Sequence, residues 1–223
     1  VDFVHQETTS LDFDKEPLIP FAGSNEGPDI SVSDINKDGL DDFFISGAKK
    51  QSSVLYVQTT EGGFLEQQPE LFRAHATNED TSHIFFNAND DGYPDLLVVS
   101  GGNEYKDGVP LQPRLYLNAG GTFHLDRVQL PLIETNASKV IAEDFDNDGI
   151  EEVVIVSDQV PSAYGRTPKQ FFLKRNKTGK FKEVTQEIIP ELQHLGNIKD
   201  VFAADIDSNG YLDLVAVGHW MPV

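Results

Sequence analysis

The sequence predicts an all-β fold made of β-propeller blades, three complete and one partial. Three observations predict it. A nine-residue loop rich in Asp, Asn and Gly recurs four times. Each copy is followed by a short apolar run, and the first three copies by two further strand-like segments. Helix signals are nearly absent, the best being a weak turn over 185–192. Four short strands joined by tight turns in about 55 residues make up a propeller blade.

The elements follow in chain order. Residues 1–27 carry no loop motif and read as an N-terminal lead-in, in which Val1-Asp2-Phe3-Val4-His5 offers a strand to close an incomplete blade. The remainder divides at about 28–82, 83–138, 139–199 and 200–223. The loops begin at Asp34, Asn87, Asp144 and Asp205, spacings of 53, 57 and 61 residues. An extended stretch precedes each loop: Ile30-Ser31-Val32, Ile84-Phe85-Phe86, Val140-Ile141-Ala142 and Val201-Phe202-Ala203. After each loop comes an apolar run: Phe43-Phe44-Ile45, Leu96-Leu97-Val98-Val99, Val153-Val154-Ile155-Val156 and Leu214-Val215-Ala216-Val217. Runs of this length between turn signals read as buried strands. A third strand is expected at Leu55-Tyr56-Val57, Leu115-Tyr116-Leu117 and Phe171-Phe172-Leu173, and a fourth after the glycines at 63, 121 and 179. The fourth repeat reaches Val223 without these two strands, so the expectation is a piece of a larger propeller.

Composition narrows the function. Seventeen Lys and Arg against 37 Asp and Glu give a net charge of −20. Such a surface repels phosphate backbones and anionic membranes, so neither nucleic acid nor membrane insertion is expected. No apolar run approaches the ~18 residues that span a bilayer. Without cysteine there are no disulfides and no thiolate ligands or nucleophiles. Fifteen Phe and six Tyr, with many aliphatic residues, supply a core.

The loops carry the chemistry. Asp or Asn at positions one, three and five, Gly at six and an acid at nine place hard oxygen donors around one point, as calcium requires. Gly permits the sharp turn, and position seven adds its carbonyl oxygen. The first site is expected to use Asp34, Asn36, Asp38, the Leu40 carbonyl and Asp42. The second uses Asn87, Asn89, Asp91, the Tyr93 carbonyl and Asp95. The third uses Asp144, Asp146, Asp148, the Ile150 carbonyl and Glu152, and the fourth Asp205, Asp207, Asn209, the Tyr211 carbonyl and Asp213. An EF-hand is excluded, because its twelfth residue is a liganding Glu. Here that position holds Ile45, Val98, Ile155 and Ala216. Carboxylate counts of 3, 2, 4 and 3 make the second loop the expected weakest binder. Up to four Ca²⁺ are expected, in structural roles, and they would bring the net charge from −20 to −12. The competing reading is a set of metal-free Asx-turns closing β-hairpins. Four loops in register, each with an acid at position nine, favour metal.

These loops resemble FG-GAP/VCBS repeats, the calcium-loop blades of integrin α-subunit propellers and of many secreted bacterial proteins. The segments EGPDISVSDINKDGLDDFFISGA, DLLVVSGGNEY, PRLYLNAGGTF and DLVAVGHWMPV are more narrowly similar to bacterial surface proteins related to the cartilage acidic protein (ASPIC/UnbV) group. The resemblance covers about residues 17–223. It implies a calcium-stabilised scaffold for binding or adhesion at the cell surface, outside the cell or in the periplasm, with an unidentified protein or glycan ligand. Separately, an incomplete propeller is expected to self-associate.

Nothing in the chain favours catalysis. The six histidines show no HExxH spacing and read as structural or surface residues. No GxSxG is present, and the Gly-rich stretches at 100–103 and 118–121 open no helix. Tyr105, Tyr164 and Trp220 could stack on sugar rings, but rim or core packing is favoured. Asn136 and Asn176 begin glycosylation sequons, a short pattern with little specificity. The expected function is noncatalytic binding. The alternative is a carbohydrate-active enzyme, a polysaccharide lyase or hydrolase built on a calcium propeller.

Overall fold

The computed structural model describes residues 1–9, 12–20, 22–25 and 27–221. Glu26 and Pro222, within two of the segments that carry the resemblance, lie outside these, as does Val223. The described residues form four antiparallel sheets. The first three are meanders of four strands. Blade one holds β1 (Ile30–Ser33), β2 (Asp42–Ile45), β3 (Val54–Gln58) and β4 (Phe64–Gln67). Blade two holds β5 (Asp80–Phe86), β6 (Asp95–Ser100), β7 (Arg114–Asn118) and β8 (Phe123–Asp126). Blade three holds β9 (Ala137–Glu143), β10 (Glu152–Ser157), β11 (Phe171–Arg175) and β12 (Phe181–Glu183). The fourth sheet pairs only β13 (Asn197–Ala204) with β14 (Asp213–His219). The all-β fold with three complete blades and one partial blade is therefore present.

Successive blades meet through their first strands: β1 lies beside β5, β5 beside β9 and β9 beside β13. The second strands explain why the apolar runs are continuous. All six residues of β6 and of β10 are buried. Side chains alternate across a strand. Leu96 and Val98 therefore enter the core against Phe44, Leu55 and Tyr116, while Leu97 and Val99 enter the core shared with Val140, Val153 and Leu173. In β10, Val153 and Ile155 face blade two, while Val154 and Val156 join Ile198 and Val201 of the partial blade. Each inner blade is thus sandwiched between two neighbours. The end blades are not: Val32 of β1, and Phe202 and Val217 of the last sheet, remain exposed.

Short helices were mostly invisible to sequence reading. α1 (Asp12–Lys15) and α2 (Pro69–Arg73) were not expected. The weak signal at 185–192 corresponds to α3 (Thr185–Ile188) and a 3₁₀ turn at Pro190–His194. Phe72 of α2 packs edge-on against Phe44, centroids 5.1 Å apart, so this helix caps the core between blades one and two. Val1-Asp2-Phe3-Val4-His5 forms no strand. It lies instead against the first blade, where Gln51 Nε2 donates to the Val4 carbonyl at 2.7 Å and Gln51 Oε1 accepts from the Gln6 amide at 2.9 Å.

Candidate metal centres

All four loops connect the first and second strands of a sheet, and all four have one backbone conformation. Position four is left-handed in each, at Lys37 (φ 61°), Asp90 (63°), Asn147 (59°) and Ser208 (61°). The glycine at position six follows at φ 85°, 80°, 84° and 88°. Two left-handed residues within three positions curl the backbone tightly, and only Gly adopts the second without cost.

Side chains hold this curl from inside. The position-one carboxylate accepts from two backbone amides, at positions five and six. Asp34 binds Asp38 N–H (3.1 Å) and Gly39 N–H (2.8 Å), Asp144 binds Asp148 (3.1 Å) and Gly149 (2.8 Å), and Asp205 binds Asn209 (3.0 Å) and Gly210 (2.9 Å). Asn87 has one acceptor oxygen and reaches only Gly92 N–H, at 3.4 Å. Position five accepts from position seven in every loop: Asp38 from Leu40, Asp91 from Tyr93, Asp148 from Ile150 and Asn209 from Tyr211, at 2.8–2.9 Å. Position three accepts from position five in the first, second and fourth loops, through Asn36, Asn89 and Asp207.

The acid at position nine is the first residue of the second strand. It pairs in register with the residue just before the loop: Ser33 with Asp42, Phe86 with Asp95, Glu143 with Glu152 and Ala204 with Asp213. Its carboxylate reaches back to the position-two amide, at 3.1 Å for Ile35, 2.9 Å for Ala88, 3.1 Å for Phe145 and 3.0 Å for Ile206. In the first two blades its other oxygen accepts from the end of the third strand, Gln58 N–H at 2.8 Å and Asn118 N–H at 2.7 Å. Burial pushes these acids up: Asp95 to about 6, and Asp42 and Glu152 in the same direction. Donated amides oppose the shift, and neighbouring loop carboxylates such as Asp91 beside Asp95 add to it. A buried carboxylate crowded by others of like charge is a group that a divalent cation would stabilise.

Convergence of acids is clearest in the third and fourth loops. One oxygen each from Asp144, Asp146 and Glu152 lies within 4.8 Å of the others, as does one each from Asp205, Asp207 and Asp213. In the first two loops position three is Asn36 or Asn89, so the same corner holds a neutral amide. The third loop differs in another way. The Lys174 ammonium, on β11, contacts Asp146, and lies 3.0 Å from Asp148 and 3.1 Å from Glu152. Burial works against its charge, but these hydrogen-bonded acids outweigh it and raise its pKa above the ordinary lysine value. Val57 and Leu117 occupy the same register in blades one and two, so this cation is particular to the third loop.

Sequence reading also missed a clamp between blades. The last residue of a third strand reaches the preceding blade's loop: Asn118 Nδ2 donates to the Ile35 carbonyl at 2.8 Å, and Arg175 Nη1 to the Ala88 carbonyl at 3.0 Å. Arg175 also pairs with Asp90. The position-two residue is therefore held through its N–H by its own loop's acid and through its C=O by the next blade. Aligning the ends of the third strands was the available signal. On a different surface, His75, Gln112, Arg114 and Arg127 line one cavity at the rim of blade two. Arg114 is paired there with buried Asp80, and burial lowers the His75 pKa. Tyr164 and Trp220 stack edge-on with centroids 5.3 Å apart, and the Tyr105 hydroxyl donates to the Thr77 carbonyl. Asn136, the first sequon asparagine, is buried.

Residues 87–155 match the family model described as FG-GAP-like repeat. That stretch of the chain is similar to an FG-GAP-like repeat. The match begins on the first residue of the second loop and ends within β10, so it contains two of the four loops and the strands between them. No curated protein matches the chain. No helix among the described residues is long and apolar enough to cross a membrane.

Proposed function

We propose that this chain is a noncatalytic, calcium-stabilised propeller module. It binds a protein or glycan at a cell surface, in the periplasm or outside the cell, on the pattern of integrin-like and ASPIC/UnbV-related surface proteins. The observation that carries this reading is what the four loops share: one backbone conformation, a position-five side chain that accepts from position seven, and a position-nine carboxylate that accepts from position two. The residues present fit calcium. Asp34, Asn36, Asp38 and Asp42, and their counterparts in the other three loops, supply only oxygen donors. When bound, the ion adds positive charge at a point where side chains already converge, and it ties the first two strands of a blade together. A glycan and extracellular-protein array, probed with and without chelator, tests the reading. Binding that needs calcium supports it, and polyuronate turnover by the purified chain would replace it with the enzymatic alternative.

Lys174 refines the ranking of the loops. The second loop, with two carboxylates, remains the weakest expected binder. The third has four, but one cation already sits among them. Lys174→Met is expected to tighten calcium binding at the third loop about tenfold, a gain of ~1.4 kcal/mol, and to leave the other three unchanged. Calorimetric titration of the two proteins checks this. Equal affinities would mean that the lysine swings clear at no cost.

A further inference from the structure

Away from the loops, the lead-in meets the junction of the first two blades on the opposite face. The connections there run from β2 to β3, β6 to β7 and into β5, at the strand ends remote from the Asp/Asn loops. Residues 1–9 are fastened on both sides of His5 and Glu7. Gln51 holds Val4 and Gln6, and Thr8 Oγ1 donates to Glu104 Oε1 at 2.7 Å. Residues two apart on an extended chain share a face. His5 and Glu7 thus point together at Glu79, the residue before β5.

Glu79 is 1% exposed, and His5 and Glu7 are largely covered. One ligand atom from each of the three lies within 4.8 Å of the others. Glu79 Oε2 accepts from the Lys49 amide at 2.7 Å, and His5 Nε2 lies 2.6 Å from Glu7 Oε1. Among the described residues, eight buried side-chain polar atoms lack a hydrogen-bond partner. Four of the eight gather here: His5 Nδ1, Glu7 Oε2 and Glu79 Oε1, with no ion pair either, and Glu104 Oε2, which is ion-paired to Lys49. Buried polar atoms are almost always paired, so such a concentration needs a physical cause. The nearby Lys49 ammonium lies 3.1 Å from Glu104, which leaves Glu7 and Glu79 facing each other across one imidazole. Burial, with the charges of Glu7 and Glu104, pushes Glu79 up to about 8 against the opposing Lys49 amide. The pocket is closely fitted. Gly102 (φ +77°) passes so near that a Cβ there would sit 2.5 Å from Glu79 Cγ.

We propose that His5, Glu7 and Glu79 bind a divalent transition metal of the zinc class, which clasps residues 1–9 to the junction of the first two blades. One imidazole and two carboxylates form a mixed nitrogen and oxygen set. It suits zinc and its neighbours better than calcium, which takes six to eight oxygens. The site therefore differs in ligand chemistry from the Asp/Asn loops and does not rest on their occupancy.

The test is competition between the full chain and a chromophoric zinc chelator, in excess Ca²⁺ so that acidic loops cannot compete for Zn²⁺. The wild type is expected to hold one Zn²⁺ per chain. His5→Ala and Glu79→Gln should each weaken it by more than the 10–100-fold typical of losing an outer-layer partner. His5 lies outside the blades, so an unchanged near-UV circular dichroism spectrum shows that His5→Ala stays folded. Stoichiometric Zn²⁺ that survives His5→Ala, or its absence from the wild type, would overturn the site. A fifth Ca²⁺ lost in Glu79→Gln but kept in His5→Ala would overturn the metal class.

Discussion

Removing calcium is expected to lower the melting temperature of this chain by more than about 20 °C. An ion at a hundred times its dissociation constant adds about 2.7 kcal/mol to the native state, so four add roughly 11 kcal/mol. For a chain of this size each kcal/mol moves the midpoint by about 2–4 °C. The structure supplies the physical reason. Each loop gathers its acids at one hairpin end, and burial already pushes Asp42, Asp95 and Glu152 up. Without a cation this crowding opposes folding. With one, the same oxygens bind it in the native state and disperse in the unfolded chain. Thermal melts followed by circular dichroism, in excess Ca²⁺ and in excess chelator, make the comparison. Coincident melts would remove calcium from the account of stability.

Asp95→Ala is expected to cost about 2–4 kcal/mol even in chelator, and so to separate the protein scaffold of a loop from its metal. Asp95 is fully buried and accepts from Ala88 N–H at 2.9 Å and from Asn118 N–H at 2.7 Å. Hydrogen bonds to a charged group contribute about 1.5–3 kcal/mol each, and their loss leaves two amides without acceptors. The burial that pushes Asp95 up to about 6 offsets part of this. Asp41→Ala, at the exposed neighbouring position of the first loop, should stay within about 0.5 kcal/mol. The sign of the pH dependence follows from the same shift. The folded pKa lies above the unfolded value near 3.9. The contribution of Asp95 is therefore full below about pH 4 and declines as pH rises through about 6. Denaturant titrations of wild type and Asp95→Asn in chelator should diverge across that window. A constant difference between them would show that Asp95 titrates normally.

Much of this was legible in the chain because it is local. The loop motif fixes position one against positions five and six, five against seven, and nine against two, all within nine residues. Asp/Asn spacing and a Gly at position six were enough to read that geometry. The strands were legible for a related reason: short apolar runs between such loops read as strands, buried on both faces in the inner blades, as β6 and β10 are, while β14 of the end blade leaves Val215 and Val217 exposed. α2 escaped notice because five residues are too few to show a helical period, and its Phe72 is held by contact with Phe44 and Tyr116.

By itself, then, the sequence determined the repeat unit, the order of its strands and the place of the four nine-residue loops, because each depends on neighbours within one hairpin. The tertiary structure alone decided what lies between hairpins. It placed Arg175 on the Ala88 carbonyl and Lys174 among the acids of the third loop. It carried His5 and Glu7 more than seventy residues along the chain to Glu79. No spacing rule reports such meetings, since they are set by how sheets stack on shared cores and by where buried charge finds its partner.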